Sequence, residues 1–324
     1  MISSFVWNPE EGGREFEGMI NFSELLTKKD HVFWVDLSEP TDEESYILTH
    51  DFKFHPLAIE DVLSEMSRPK VDDYEDYIFV VFLVASGRPG GEDDLPFKEI
   101  GLFLTRNCVV TVHFQRLKVI DSIFARLHKD ERFISRGADF FFHTVLDHLA
   151  DTYFQTLLVI EAETDKIEDD VFEDPDPEIV KRIFTIRRDV LQIKRTIAPL
   201  REVVAQFARA KFSRIGERTS IYFSDIYDHL ARISDEADEH RDALNSSLEV
   251  YYSNVSTRTN EIIKFLTIFT AILLPPSFIV GFYGMNFTTF APGLEWEYGY
   301  VFVLAIILMV VGGLLLFFRK RKWI

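Results

Sequence analysis

FLTIFTAILLPPSFIVGFY, residues 265–283, is a stretch of 19 residues that contains no charged side chain. At about 1.5 Å per residue, a helix of this length extends roughly 28 Å, close to the hydrocarbon thickness of a bilayer. Residues 300–318 form a second uncharged stretch of the same length. Two such stretches rarely occur together in the core of a soluble domain, so they predict two membrane-spanning helices.

Basic residues predict how these helices are oriented. No Lys or Arg lies between Lys264 and Arg319, whereas the tail, residues 319–324, begins with four basic residues. Because positive residues are retained in the cytoplasm, we expect both termini inside the cell and a multi-pass protein of the cell (inner) membrane. The loop of residues 284–298 is then external. Its Glu295 and Glu297 would concentrate cations there, and simple solvation of both carboxylates is the alternative.

Composition excludes several classes of function. The chain has 324 residues, 47% of them hydrophobic, and a net charge of −18. An acidic surface argues against nucleic acid as a partner, because phosphate binding needs basic residues, and it favours cations. The single cysteine, Cys108, lies in an apolar run and is expected in the core. The sequence contains neither a phosphate-binding loop nor a nucleophile elbow, so we expect neither an ATP-driven pump nor an enzyme.

The first part of the chain predicts a cytoplasmic α/β domain over residues 1–135. Runs of β-branched and aromatic residues at 31–37, 77–85 and 100–114 predict strands, the last of them as a hairpin. The stretches 41–50 and 55–64 predict helices between these strands, and 87–94 predicts a loop.

Helical patterns dominate from residue 136 onward. A hairpin is predicted over 136–219, with helices at 139–173 and 177–211 separated by a Pro-rich break. A stalk helix is predicted over 220–283, with its membrane part at about 263–283, because no Pro or Gly interrupts it before Pro275. It would extend about 95 Å, and its apolar stripe needs partners, which predicts a homo-oligomer.

One face of the first membrane stretch combines polar, small and apolar residues, which we call the pore stripe: Asn260, Leu266, Thr270, Leu274, Ser277 and Gly281. Together with Ile263 they recur every three or four residues and share one helix face. Because two helices cannot enclose an aqueous path, several chains would have to gather with this face around an axis. Helix packing through small residues is the alternative. Pro275-Pro276 is expected to bend the helix or free carbonyls.

The first membrane stretch closes with Phe282-Tyr283-Gly284-Met285-Asn286, and this position of Gly-Met-Asn between two terminal spans resembles the CorA family of magnesium transporters. Arg258-Thr259-Asn260-Glu261, His55-Pro56-Leu57 with Glu60-Asp61, and Arg68-Pro69-Lys70 strengthen the resemblance. It implies an α+β cytoplasmic domain, a long helical hairpin and a stalk helix that continues into a two-helix transmembrane region, whose second helix covers 299–318. It also implies a homopentameric channel embedded in the lipid bilayer.

The resemblance assigns roles to individual residues. It implies a selectivity filter at Gly284, Met285 and Asn286, the cytoplasmic end of the pore at Asn260, and a basic cytoplasmic ring made by Arg319, Lys320, Arg321 and Lys322. Magnesium holds its six waters tightly, so neutral oxygens that hydrogen-bond to these waters suit a filter. Asn286 supplies an amide oxygen, and Gly284 permits a tight turn.

The resemblance further implies regulatory Mg²⁺ between neighbouring subunits, in addition to transported Mg²⁺, and no organic cofactor. One such site would join Asp61 to Glu249, and a second would use Glu60, Asp147 and Asp225. Glu249 departs from the Asp expected at its position, and its longer arm weakens or shifts the first site. Ordinary solvated carboxylates are the alternative for all five residues.

Two other functions compete with magnesium transport. A Zn²⁺ transporter of the same superfamily would use His and Cys ligands, and His143 with Asp147 forms an i,i+4 pair on a predicted helix, although ordinary polar positions beside the core explain them as well. Transport of Co²⁺ or Ni²⁺ alongside Mg²⁺ also fits. A membrane-tethered sensor without a pore explains the acidic domain and the two anchors, but not a polar stripe bracketed by Asn260 and Asn286.

Overall fold

A computed structural model describes residues 1–64, 68–87, 89–90, 97–173, 176–209, 212–285 and 298–324. The described chain forms two compact units, Met1–Leu248 and Glu249–Ile324. The finer domain boundaries stay a prediction from the sequence.

The first unit contains one seven-stranded sheet with the order β2-β1-β3-β7-β6-β5-β4. Neighbouring strands are antiparallel except β3 and β7, which are parallel. The strands are β1 Ile2–Asn8, β2 Gly12–Glu17, β3 Val32–Ser38, β4 Lys70–Tyr74, β5 Tyr77–Ala85, β6 Phe97–Leu104 and β7 Cys108–His113. The predicted strands at 31–37 and 77–85 and the hairpin at 100–114 are therefore confirmed.

Five short helices accompany the sheet: α1 Phe22–Thr27, α2 Asp42–His50, α3 Pro56–Leu63, α4 Lys118–Leu127 and α5 Arg132–Ser135. The two predicted helices correspond to α2 and α3. A capping box between Thr41 and Glu44 starts α2, because each side chain accepts a hydrogen bond from the other's backbone N–H. Pro56 at the first turn of α3 suits a position where no N–H donor is needed.

The central strands form the core, which explains their unbroken apolar sequences. β7 is buried along its whole length, and Cys108 is fully buried, which confirms its predicted place in the core. Burial raises the pKa of the Cys108 thiol well above its usual value. α3 approaches β6 closely at Gly101, where an added Cβ would lie 2.0 Å from Val62 Cγ2. This contact fixes the position of α3, which carries Glu60 and Asp61.

The helical hairpin consists of α6 Ala138–Glu173 and α7 Pro177–Ala208. The Asp176 side chain caps α7, and Arg182 pairs with Asp170 across the hairpin at 2.5 Å. α7 ends at Ala208, earlier than the predicted 211, because the backbone of Arg209, with φ −83° and ψ 8°, leaves helical geometry.

α8 Glu217–Tyr283 is a single helix of 67 residues, and α9 Gly299–Lys320 has 22. At about 1.5 Å per residue, α8 extends about 100 Å, and it continues through both Pro275 and Pro276. This confirms a stalk helix that runs into the first membrane stretch. In the first unit its apolar stripe is fully buried at Ile226, Leu230, Ile233, Ala237 and Leu244.

A buried polar chain joins the parallel strands β3 and β7. Trp34 Nε1 donates to Thr111 Oγ1 at 2.9 Å, and Thr111 Oγ1 donates to the Asp36 carboxylate at 2.5 Å. His113 Nε2 lies 3.3 Å from the same carboxylate, and both side chains are almost fully buried. Burial opposes protonation of His113, but the hydrogen bond and charge of Asp36 outweigh it and raise the His113 pKa.

The Asp36–His113 pair predicts a pH-dependent stability. Because the folded-state pKa of His113 is raised, its contribution is complete below the usual value of 6.5 and is lost as the pH rises through the raised value. We expect Asp36→Asn to lower the thermal midpoint at pH 6 by about 6 °C or more and to abolish the fall of the midpoint as the pH rises above 6.5. The measurement is near-ultraviolet circular dichroism of the full chain in detergent.

The control is Glu15→Gln, which removes the carboxylate partner of His128 in a pair whose two residues are both exposed. It should leave both the midpoint and its pH dependence almost unchanged. An Asp36→Asn variant with the pH slope of the original chain would contradict the assignment.

Candidate functional site in the membrane segment and a carboxylate cluster

The membrane segment of α8 presents an uncovered apolar surface. In its most apolar window of 18 residues, no residue is buried, and α9 is almost as exposed. Leu266 and Leu274 are 60% and 66% exposed. Water is a poor solvent for so much apolar surface, so these two helices require lipid or other helices around them.

The pore stripe lies on the open side of α8. At about 100° per residue, its six members fall within about 120° of the helix circumference. All six are exposed, whereas Ile268, Ile272 and Ile279, on the other side of the helix, are half-buried. Within one chain, the pore stripe is therefore free for contact with other chains or with water.

α8 ends at the predicted filter. Gly284 N donates to Val280 O at 2.9 Å, and Met285 N donates to Phe282 O at 3.3 Å, so both residues continue the last helical turn. A Cβ on Gly284 would lie 3.1 Å from Val280 O, which makes glycine suited to this tight turn. Asn286, Glu295 and Glu297 lie outside the described residues.

Basic residues gather at the opposite end of this unit. Arg319 and Lys320 close α9, and Arg321 and Lys322 follow it. Lys264, on α8, donates from Nζ to the backbone oxygen of Lys322 at 3.4 Å. Cations at the end of a helix are stabilised by its negative pole.

A cluster of ionisable residues connects α6 and α8 in the first unit, and we call it the carboxylate cluster: Asp147, Asp151, Asp225 and His229. Asp147 and Asp151 are one turn apart on α6, and Asp225 and His229 are one turn apart on α8. His229 Nδ1 lies 4.0 Å from Asp147, and its Nε2 lies 3.6 Å from Asp225. One ligand atom from each of Asp147, Asp151 and His229 falls within 4.8 Å of the other two.

The electrostatics of this cluster favour a cation. Burial raises the pKa of the Asp147 carboxyl, and the charge of Asp151 raises it further. His229 Nδ1 is buried without a hydrogen-bond partner. A divalent cation would offset the repulsion between the carboxylates and bind the free imidazole nitrogen. The carboxylate oxygens of this cluster suit Mg²⁺. The same oxygens together with the imidazole nitrogen suit Co²⁺, Ni²⁺ or Zn²⁺.

The structure brings together some of the predicted regulatory residues. Asp147 and Asp225 meet at His229, whereas Glu60 is not part of this cluster in the described chain. Asp61, the neighbour of Glu60 on α3, pairs with Lys70 at 2.5 Å. Glu249 belongs to the second unit. Sequence reasoning missed Asp151 and His229, although each lies four positions after a predicted ligand, on the same helix face.

His143 is a buried residue that packs among aromatic side chains. It is 8% exposed, and its ring contacts those of Phe140, Tyr222 and Phe223. Burial lowers its pKa to about 4. His143 is outside the carboxylate cluster in the described chain, so the ring that faces Asp147 belongs to His229 rather than to His143.

Comparisons with known proteins agree on one family. A family model described as CorA-like Mg²⁺ transporter protein matches residues 29–320. The cobalt/magnesium transport protein CorA of Thermotoga maritima is 36% identical over 84% of this chain and 78% of its own length. The putative metal ion transporter YfjQ of Bacillus subtilis is 34% identical over 90% of this chain and 89% of its own.

A solved structure shares the whole fold. The CorA magnesium transporter from Methanocaldococcus jannaschii superposes with a TM-score of 0.84 over 99% of this chain and 98% of that chain, at 22% identity. The predicted architecture is thereby confirmed: an α+β domain followed by a long helix that leads into a C-terminal apolar helix.

The carboxylate cluster predicts a stabilising substitution in metal-free protein. The raised pKa of Asp147 means that its charged form costs stability, and this cost is present at neutral pH and disappears as the pH falls below about 4. We expect Asp147→Asn, in chelator at pH 7, to raise the thermal midpoint by about 2–4 °C, as a gain of about 1 kcal/mol would. Asp235→Asn, at an exposed position of α8, is the control and should have no effect. A midpoint lowered by Asp147→Asn would overturn this account.

Proposed function

This chain belongs to the CorA-like Mg²⁺ transporter family, and from that premise we propose that it conducts Mg²⁺ across the cell (inner) membrane, with Co²⁺ and Ni²⁺ as further ions. The observation that carries the proposal is the pore stripe. It places exposed polar groups at Asn260, Thr270 and Ser277 along a helix that is otherwise apolar and uncovered. A relative that is named a cobalt/magnesium transport protein supports Mg²⁺ and Co²⁺ as cargo.

We propose that the conducting form is a homopentamer. One chain contributes two membrane helices, which cannot enclose a path for water, so the pore stripe needs copies of itself around an axis. The number five follows from the family resemblance alone. Leu266 and Leu274 would form two apolar rings, and such rings stop ions when they lose their water.

The filter is proposed to recognise hydrated Mg²⁺. This ion dehydrates reluctantly, so a neutral ring that hydrogen-bonds to its bound waters selects it at a low barrier. Asn286 would supply the amide oxygens, and in the sequence it directly follows the turn at Gly284 and Met285 that ends α8. A ring of carboxylates at this point would hold a divalent ion too strongly for release.

The transport is proposed to need no chemical fuel. A divalent ion that moves inward through about 100 mV gains roughly 4.6 kcal/mol, twice the value for a single charge. Inward flux would enter at the loop of residues 284–298 and leave near the basic tail. The retention of positive residues in the cytoplasm implies this orientation, with the loop outside and the tail inside. The membrane potential and the concentration difference would then drive uptake.

We propose that intracellular Mg²⁺ regulates the pore through carboxylates. The carboxylate cluster offers one site, to which Glu60 of a neighbouring subunit would contribute, and Asp61 with Glu249 offers a second. Bound Mg²⁺ screens the facing carboxylates and holds the subunits in a symmetric closed state. When internal Mg²⁺ falls, the unscreened charges repel, the subunits separate, and the rings at Leu266 and Leu274 rewet.

Zinc transport is the second candidate, and His229 favours it, because an imidazole beside two carboxylates is a good ligand set for Zn²⁺. Uptake measured with Mg²⁺, Co²⁺, Ni²⁺ and Zn²⁺ in competition separates the two candidates. A membrane-tethered sensor without a pore would show no flux of any of these ions.

The filter proposal predicts the effect of Asn286→Ala. We expect Mg²⁺ uptake by liposomes that contain the purified protein to fall about fivefold or more, because each subunit loses one hydrogen bond worth about 1 kcal/mol. Asn245→Ala removes an amide from the first-unit part of α8 and should leave uptake intact. Equal uptake by Asn286→Ala and the original chain would exclude Asn286 from the filter.

The regulatory proposal predicts the effect of neutralising Asp61 and Glu249 together. We expect Asp61→Asn with Glu249→Gln to conduct at internal Mg²⁺ concentrations that close the original channel, because the repulsion that Mg²⁺ must screen is reduced. The measurement is inhibition of currents by Mg²⁺ applied to the cytoplasmic face. Asp73→Asn with Glu239→Gln removes two exposed carboxylates and serves as the matched control. Unchanged inhibition in the Asp61 and Glu249 variant would refute this site.

A further inference from the structure

A cavity of about 650 Å³ opens on the first unit, and no residue of the pore stripe is among its described lining residues. It lies between the ends of β5 and β6, the start of α4 and the middle of α6. Its volume is within the range of pockets that hold small organic ligands. Transport through the membrane segment makes no use of it.

The cavity is basic in a strongly acidic chain. The protein has 53 acidic and 35 basic residues, yet Lys98, Arg116 and Lys118 line this cavity together with Asp151 as the one described acidic residue. Cations that gather in a cleft with protein walls produce a focused positive potential. The ligand that this wall recognises is therefore an anion.

Two of the three cationic side chains, those of Lys98 and Arg116, make hydrogen bonds within the first unit. Lys98 Nζ donates to the backbone oxygen of Arg116 at 3.0 Å, which joins the edge of β6 to the segment before α4. The Arg116 guanidinium donates to Asp121 at 3.0 Å. Lys118 is exposed at the first position of α4, and the positive end of this helix adds to the same potential.

The other lining residues combine apolar surface with hydrogen-bonding groups, which suits an organic ligand. Ala85, Val119 and Val159 line the cavity and are only half-buried, so they provide apolar surface, and Gln155 and Ser122 provide hydrogen-bonding groups. Inorganic phosphate would fill only a small part of the volume and would leave the apolar wall without a partner. An anion that carries both phosphates and a flat organic ring fits both walls.

We propose that this cavity binds a nucleoside polyphosphate, with its phosphates at Lys98, Arg116 and Lys118 and its base against Ala85, Val119 and Val159. Asp151 lines the cavity and also belongs to the carboxylate cluster. Its charge opposes a fully ionised polyphosphate and favours the complex with Mg²⁺, which presents a cation to the carboxylate. The site reports on nucleotide that carries Mg²⁺, and it operates whether or not the pore conducts.

The test is isothermal titration calorimetry of the purified full chain in detergent, with ATP in the presence and absence of Mg²⁺, inorganic triphosphate and adenosine as probes. We expect saturable binding, tightest for ATP with Mg²⁺ and weaker for triphosphate and for adenosine alone. Lys98→Gln with Lys118→Gln should weaken the binding of ATP about tenfold or more, because two charge-assisted contacts are lost. Binding should also weaken as the salt concentration rises.

The matched control is Lys129→Gln with Lys166→Gln, which removes the same charge from exposed positions outside the cavity and should preserve affinity. Gln155→Trp fills the cavity without a change of charge and should abolish binding of ATP, while a near-ultraviolet spectrum verifies the fold. The proposal is overturned by a lack of saturable ATP binding, by equal weakening in both double variants, or by undiminished binding to Gln155→Trp.

Discussion

An apolar helix surface that water cannot solvate is the constraint on which the rest of this structure depends. The membrane segment of α8 has no buried residue in its most apolar window within a single chain. Lipid or other helices must therefore surround it. This requirement explains why a helix of 67 residues continues from the first unit into an uncharged apolar segment.

The carboxylates of the first unit differ in their surroundings. Most of them lie on the surface. A few lie where burial and repulsion from a neighbouring carboxylate destabilise their charged form. Asp147 has a raised pKa because it is buried beside Asp151, and the imidazole of His229 faces it with a free nitrogen. Such an arrangement destabilises the fold while both carboxylates are charged, and a bound cation would offset that repulsion. The neighbouring cavity shares Asp151 with this cluster, but most of its charged lining residues are cationic: Lys98, Arg116 and Lys118.

Much of this fold could be predicted from the sequence, because long helices and apolar spans are encoded by neighbouring residues. The helical hairpin, the stalk helix and both spans follow from periodicity, from the absence of charge and from Pro-rich breaks. The strands β1, β2 and β4 were missed. β2 is an exposed edge strand with two glycines, and its pairing with β1 depends on partners rather than on its own composition. The helices α1, α4 and α5 were missed as well. α1 and α5 have only six and four residues, whereas α4 has ten and buries Ile120, Ile123 and Leu127, a helical spacing that the sequence does display.

For the candidate site, the sequence alone displays the Gly-Met-Asn motif, the pore stripe and the many carboxylates. Which of these carboxylates lie close together depends on the tertiary structure. Asp147 and His229 are distant in sequence and meet because α6 and α8 pack side by side, and Asp36 and His113 meet because β3 and β7 are parallel neighbours. Periodicity and charge patterns are local properties that a sequence displays directly. Contacts between distant residues arise from burial of the whole core, and no single stretch of sequence contains them.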